Sequence, residues 1–270
     1  MTKGWRVAGT SRRIDGCAAL DREGFSAFLF GRDIPLSSSA RAVLNQATHL
    51  LISIPPDLEG DVVLDQERET LRQLRSVSWI GYLSTTGVYG DWQGAEVTEQ
   101  SERRPSSDRA RRRVAAEDAW LDLFHRHQLP VHLFRLAGIY GPQRSVLDDV
   151  RAGTAQRIDK PGHRFSRIHV DDIAQILFAS MAQPDPGAIY NLCDDEPAEP
   201  AAVVAEACAL LGAPLPPLVP FAQARLSEMG RSFWRDHKRA SNAKIKRDLH
   251  IKLLCPTYRE GLRSILAEAV

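Results

Sequence analysis

The residues of this chain best placed to do chemistry are hydroxyls at the end of an apolar run, Trp79-Ile80-Gly81-Tyr82-Leu83-Ser84-Thr85-Thr86-Gly87-Val88-Tyr89-Gly90. The run is short enough for a buried parallel strand and turns abruptly into hydroxyls and glycine. Side-chain oxygens then emerge at the carboxyl end of the strand, where open α/β sheets bind ligands. An ordinary strand ending in a glycine turn has the same outline. A second group is basic: Ser11-Arg12-Arg13 follows the strand-like Gly4–Thr10, and guanidinium groups pair bidentately with phosphate. A pair of solvated arginines is the other reading. Arg109, Arg111, Arg112 and Arg113 crowd one helical stretch. A solvated helix face is expected there rather than a nucleic-acid contact, because the whole chain carries a net charge of only +1.

Three further groups carry less. His169 could serve as a base, but a strand histidine bonded to backbone is the expected state. Asp194-Asp195-Glu196-Pro197 lacks a histidine or a second acidic cluster, so a solvated turn is expected rather than a metal site. Cys17, Cys193, Cys208 and Cys255 have neither zinc-site nor disulfide-scaffold spacing, which points to reduced, mostly buried thiols.

The elements that would position these groups alternate. Strands are expected at Gly4–Thr10, Phe25–Phe30, Thr48–Ile54, Trp79–Thr85, Val131–Leu136 and Ala188–Cys193. Amphipathic helices are expected over Asp61–Arg75, Arg109–Phe124 and Asp172–Met181, the last capped by Asp171. Asp91–Pro105 reads as a loop over the site. Ala201–Leu211 reads as a helix ended by Gly212, and Phe221–Met229 and Arg239–Leu249 as helices flanking Ser232-Phe233-Trp234. A last helix begins near Cys255. At 270 residues, 43% hydrophobic and 26% charged, the chain can bury one large α/β core with a lobe attached. No run is long enough to cross a bilayer, and Met1–Arg6 lacks the apolar core of a signal peptide, so a cytoplasmic protein without membrane or nucleic-acid partners is expected.

Ser/Thr-x-x-x-Tyr-Gly after a buried strand, Arg135-x-x-x-x-Tyr140-Gly141-Pro142, Arg167-Ile168-His169-Val170-Asp171-Asp172-Ile173-Ala174 and Tyr258-Arg259-Glu260-Gly261-Leu262 together resemble the extended short-chain dehydrogenase/reductase (SDR) superfamily of nucleotide-sugar epimerases, dehydratases and reductases. The resemblance covers nearly the whole chain. It implies a Rossmann-like, doubly wound, mostly parallel sheet over residues 1–142, with 166–193 returning to it. Residues 143–165 and 194–270 would form mainly a small α+β substrate lobe.

By that resemblance Thr85 takes the place of the catalytic Ser/Thr. Counting back four residues from Glu117 puts Arg113 at the family's lysine, and four more put Arg109 at its tyrosine, so Tyr-x-x-x-Lys has become Arg-x-x-x-Arg. Arginine stays protonated at physiological pH and cannot give and take the proton as a phenol does. Arg113 can still hold positive charge beside the nicotinamide ribose. Ser11, Arg12 and Arg13, with no acid at that strand tip, favour NADP(H) over NAD(H). Asp33 and Ile34 match the adenine edge, and Ser53, Ile54 and Pro55 the backbone beside the ribose and phosphates. Gly138, and Thr86-Gly87, stand where sugar-nucleotide epimerases carry an Asn and dehydratases an Asp-Glu pair, which counts against both chemistries.

No Gly-x-Gly-x-x-Gly precedes Trp5, although the family opens with a strand, a glycine-rich loop and a helix spanning most of a ~30-residue unit. A start upstream of Met1 is expected, the alternative being a product without its central strand and phosphate cradle. The expected function is an NAD(P)-dependent oxidoreductase or epimerase-like protein acting on a small polar, sugar-like substrate. Its proton would come from Tyr89, Tyr140, His169 or water. The alternatives are a catalytically inactive NADP(H)-binding sensor or scaffold and, on the arginine run alone, a nucleic-acid binder. The resemblance also implies a homodimer through the helices of residues 61–75 and 109–124.

Overall fold

The computed structural model describes residues 4–268. The readings that rest on residues 1–3, including the one on the start of the chain, lie outside them. The first unit is β1 (Ala8–Ser11), α1 (Ile14–Arg22) and β2 (Ser26–Leu29), with β1 parallel to β2 from Ala8 opposite Ser26 to Ser11 opposite Leu29. α2 (Ser38–Leu44) leads to β3 (His49–Ile52) and α3 (Val62–Gln73) to β4 (Trp79–Thr85). α3 starts where it does because Asp61 Oδ1 accepts the amides of Val63 and Leu64, both at 3.0 Å, an N-cap that fills two otherwise empty donors. A 3₁₀ turn (Thr86–Tyr89), β5 (Glu96–Val97), α4 (Asp108–His127) and β6 (Val131–Leu136) follow, then β7 (Gly138–Tyr140), α5 (Val146–Arg151) and β8 (Arg157–Asp159). β9 (Arg167–His169) pairs in parallel with β7, and after α6 (Val170–Ala182) β10 (Ile189–Leu192) returns to the main sheet, which runs β10-β6-β4-β3, all parallel.

β4 lies inside this sheet and its alternation builds two cores. Ile80 and Tyr82 pack with Leu64 and Leu71 of α3 and Trp120 and Leu123 of α4. Trp79 packs with Phe134, Tyr190 and the α6 residues Ile173 and Ile176. A strand flanked on both sides has no solvent face, and Trp79, Ile80 and Tyr82 are accordingly fully buried.

The parallel layer is divided. β1 pairs with β2 and β3 pairs with β4, and no described strand pairs with the other side of either. Four exposed apolar side chains lie on or beside these two strands: Trp5, Val7, Ile14 and Leu51, between 40% and 76% exposed. Trp5 packs edge-on against His49 at 4.6 Å. Phe30, just after β2, joins the α3–α4 core, and Gln66 Nε2 donates to the Gly31 and Arg32 carbonyls, which docks the first unit on α3.

The C-terminal region, expected with residues 143–165 to form the lobe, carries α7 (Pro200–Leu211), β11 (Leu218–Pro220), a 3₁₀ turn at Phe221–Gln223, α8 (Glu228–Phe233), β12 (Arg239–Ala240), α9 (Ala243–Asp248) and α10 (Tyr258–Glu268). Four local expectations are corrected. The helix expected over 221–229 is the 3₁₀ turn followed by α8. The one expected over 239–249 begins as β12, which pairs in parallel with β5 inside the stretch expected to be all loop. That pairing is long-range, so no local pattern announces it. The cap of α6 is His169, whose Nδ1 accepts the Asp171 amide at 3.3 Å, rather than Asp171. Of the turn expected to be solvated, Asp194 is only 2% exposed while Asp195 is exposed, so the correction falls on Asp194. Among the described residues no helix is long and apolar enough to cross a membrane.

Candidate functional site

The carboxyl end of β4 divides its two hydroxyls between opposite faces, as strand geometry requires. Ser84 donates to Glu117 Oε1 of α4 at 2.6 Å. Glu117 is fully buried and takes Arg135 Nε at 3.0 Å and Nη2 at 2.7 Å, a bidentate pair, with Arg103 Nη1 at 3.3 Å beside it. Arg135 Nη1 donates to Tyr89 OH at 2.9 Å, and that hydroxyl donates to Asn191 Oδ1 at 2.7 Å. This chain of charge-assisted bonds fastens β4, β6, β10 and α4 to one another. Thr85 is half-buried on the other side, and its Oγ1 accepts the Gly87 amide at 3.1 Å. Thr85 thereby caps the 3₁₀ turn that sends the chain away from the strand tip.

α4 begins at Ser107, whose Oγ accepts the Ala110 amide. One helical turn separates Arg109 from Arg113, and the two go different ways. Arg113 Nη1 donates to the Leu83 carbonyl at 2.8 Å and to Tyr82 OH at 3.1 Å. Burial pushes the Tyr82 phenol up against the opposing pull of Arg113. Arg109 stacks its guanidinium over the Phe233 ring at 4.8 Å, bridging the helix to the lobe. Thr85 and Arg113 therefore both stand at the last residues of β4, on its two sides, while Arg109 stands one turn further out along α4.

The residues read as cofactor contacts lie at the carboxyl ends of β1, β2 and β3. Ser11 Oγ accepts the Arg13 amide at 3.1 Å. Arg13 is bound bidentately by Asp15, at 2.8 and 2.6 Å, on an exposed surface. Among the described residues Arg12 has no carboxylate within 4.0 Å, and its stem covers Gly31, where an added Cβ would meet Arg12 Cγ at 3.2 Å. Asp33 is exposed in the tight turn closed by Gly31 and Ile34, and Ile34 is half-buried. Ser53 and Pro55 are exposed, and Ile54 packs on the α3–α4 core. These groups comprise a guanidinium and a hydroxyl at the end of β1 and a hydroxyl and a cation at the end of β4. Between β1 and β3 the described residues offer no glycine-rich turn to hold a pyrophosphate.

The three side chains considered as proton sources are all closed off. Tyr89 is fully buried between Arg135 and Asn191, and burial pushes its phenol up. Tyr140 is 8% exposed, its hydroxyl 3.5 Å from the Thr257 carbonyl. His169 is fully buried and spends Nδ1 on the α6 cap.

Sequence reasoning singled out the aromatic pair Phe233-Trp234, as a wall of the substrate cleft or as lobe core, but missed the residues that follow it, Asp236–Lys238. Asp236 Oδ2 accepts the Ser106 hydroxyl at 2.8 Å, the His237 amide donates to Asp91 Oδ1 at 2.8 Å, and Phe233 holds Arg109. The lobe is thus tied to the loop after the 3₁₀ turn and to the start of α4. Lys238, with its side chain 12% exposed, places Nζ 3.9 Å from Asp236 Oδ2, and burial lowers its basicity while Asp236 and Asp91 oppose that. The charged run Asp236-His237-Lys238-Arg239 was the available signal, but its partners lie more than a hundred residues away in sequence.

Residues 70–193 match the family model described as the NAD dependent epimerase/dehydratase family. A conserved protein of unknown function from Silicibacter pomeroyi DSS is 47% identical over 99% of this chain and 91% of its own, with a TM-score of 0.88. The dTDP-glucose 4,6-dehydratase of Bacillus anthracis str. Ames, solved in complex with NAD, has a TM-score of 0.72 at 16% identity over 94% of this chain and 83% of its own. A point mutant of the UDP-glucuronic acid 4-epimerase of Bacillus cereus, solved with a fluorinated UDP-glucuronic acid and NAD, has a TM-score of 0.72 at 14% identity over 98% and 92%. At those identities the latter two show a shared fold. No curated protein sequence matches the chain.

Proposed function

Because the chain belongs to the NAD-dependent epimerase/dehydratase family, an extended SDR-like family of oxidoreductases and epimerases, we propose that it is an NADP(H)-preferring oxidoreductase of small polar, sugar-like carbonyl or hydroxyl compounds whose Tyr-x-x-x-Lys has been replaced by Arg109-x-x-x-Arg113. The observation that carries this reading is that a hydroxyl and a fixed cation, Thr85 and Arg113, are each anchored at the carboxyl end of the inner strand β4. A bound nicotinamide would supply or accept hydride. Thr85 Oγ1 would orient a substrate oxygen, and Arg113, anchored on the Leu83 carbonyl, would hold positive charge beside the nicotinamide ribose. Arg12 supports NADP(H), because its guanidinium has no carboxylate partner to displace before it pairs with a 2′-phosphate.

Calorimetric titration with NADPH and NADH, followed by NADPH consumption against a panel of carbonyl compounds, tests the reading. It expects tighter NADPH binding and a Thr85→Val variant with lower kcat and unchanged coenzyme affinity; uptake of neither coenzyme overturns it. Arg109, stacked on Phe233 where the family has its phenol, favours a second reading, a coenzyme-binding sensor without turnover. Binding without consumption of any carbonyl compound is its signature. A homodimer through the groove between α3 and α4, rimmed by the exposed Leu58, belongs to the proposal and is checked by light scattering.

A further inference from the structure

Arg109 cannot release a proton, Tyr89 and Tyr140 are buried and held in their own bonds, and His169 is fully buried with Nδ1 spent on a cap and Nε2 facing no partner, so none of the residues that sequence reasoning considered reaches solvent as an acid. The segment Phe233–Arg239 carries a further amine, Lys238. The segment carrying Lys238 is tied at three points to the elements that flank the tip of β4: Phe233 to Arg109, Asp236 to Ser106, and the His237 amide to Asp91. Its carbonyl at His237 also accepts the Trp92 and Gly94 amides, at 3.0 and 2.9 Å, so the backbone beside Lys238 is fixed on both sides. At 3.9 Å the Lys238 Nζ and Asp236 Oδ2 attract but are too far apart to hydrogen-bond. Lys238 makes no hydrogen bond among the described residues, and Asp236 Oδ1 is buried without a partner. A donor group and an acceptor atom thus stand side by side unsatisfied, an arrangement that a polar group of a ligand, accepting from one and donating to the other, would complete.

We propose that Lys238 Nζ gives the proton to the substrate oxygen, and takes it back in the reverse direction, where its segment is tied to the elements flanking the tip of β4, with Asp236 as its positioning residue. This inference rests on the proposed oxidoreductase function. In carbonyl reduction the C=O π bond breaks as the carbon receives hydride, and the oxygen takes a proton from the Lys238 ammonium. The amine is left neutral and is recharged from solvent. Oxidation of the alcohol runs the same transfer backwards. A lysine suits the task where burial favours its neutral form, and here burial acts against Asp236 on its own segment and Asp91 on the loop after the 3₁₀ turn.

The chain has six lysines, few enough to resolve individually. Reductive methylation of the intact protein with ¹³C-formaldehyde, with Lys238→Arg to identify the resonance, gives a direct titration. The proposal expects Lys238 to be methylated in the native protein and to titrate below the other lysines, and it expects Asp236→Asn to move that titration lower still. A Lys238 that resists methylation, that titrates with the others, or that ignores Asp236→Asn overturns it.

Coenzyme titration keeps the two readings apart. Lys238→Met should bind coenzyme as the unaltered protein does, and a weakened affinity would reassign Lys238 to coenzyme binding. Failure of the unaltered protein to bind either coenzyme overturns the function and this inference with it, while leaving the amine titration as a separate result. Where turnover is measured, Lys238→Met should lose about 10²–10⁴ in kcat with little change in KM, and Lys238→Arg should not restore it.

Discussion

The two parts of the parallel layer are built on different terms. In the four-stranded part, β4 and β6 are buried on both faces and bolted to α4 by the Ser84–Glu117–Arg135–Tyr89 chain. In the two-stranded part, α1 has no buried residue, β1 alternates between exposed and half-exposed, and the charged pair Arg13–Asp15 stands in solvent. Both parts read as strand–helix–strand in sequence. What separates them is the number of neighbours: β4 has a strand on either side and helices on both faces, whereas β1 and β3 each have one edge without a partner strand. The lesson is that the same local pattern yields an enclosed platform or an exposed flap according to what closes around it.

The comparison breaks first, if it is wrong, at Glu117. Glu117→Ala leaves Arg135 buried without its counter-charge and should cost about 3–5 kcal/mol, read as a fall in the urea midpoint. A loss no larger than that of a surface substitution would overturn the contrast. Ser84→Ala removes a short bond to the same carboxylate and should cost about 1.5–3 kcal/mol, with Thr85 and the coenzyme end of the site otherwise intact.

A third test uses pH. Burial raises the Asp194 carboxyl from 3.8 to about 8, against the pull of Arg167, and neither carboxyl oxygen has a hydrogen-bond partner. The folded protein therefore holds a proton that the unfolded chain releases. This contribution is complete below the unfolded value and lost as pH rises through the folded one. Unfolding free energy should fall by about 1.4 kcal/mol per pH unit between those two values from this group alone. Asp194→Asn should flatten that part of the profile, and an unchanged slope would show the carboxyl to be ionised in the fold. The smallest effect is expected in the flap, where Asp15→Asn breaks a solvent-exposed ion pair and should leave the urea midpoint unmoved within error.

Much of the fold was legible because it rests on local periodicity. The apolar run at Trp79–Leu83, the helical face of Val114, Trp120 and Phe124, and the glycine stop at Gly212 each announce their element, and the structure places these elements within a few residues of the expected bounds. The family signatures were legible for a similar reason, since Tyr89, Arg135 and His169 keep fixed spacings whatever they touch. The candidate site was read only on one side. Thr85 and Arg113 follow from register along one strand and one helix, but the face opposite them comes from Phe233–Arg239, whose pairing with β5 and Ser106 spans more than a hundred residues of sequence.

The sequence by itself determined the alternation of strands and helices, the hydroxyl at the end of β4 and the run of arginines opening α4, because each depends on residue type and short-range spacing. Only the tertiary structure decided that Tyr89, Tyr140 and His169 are shut away, that Arg109 leans on Phe233, and that a half-buried lysine stands beside a carboxylate with one unpartnered oxygen. Burial and partner choice are properties of the packed chain, and a side chain's capacity to exchange a proton depends on the water and charge that packing leaves around it.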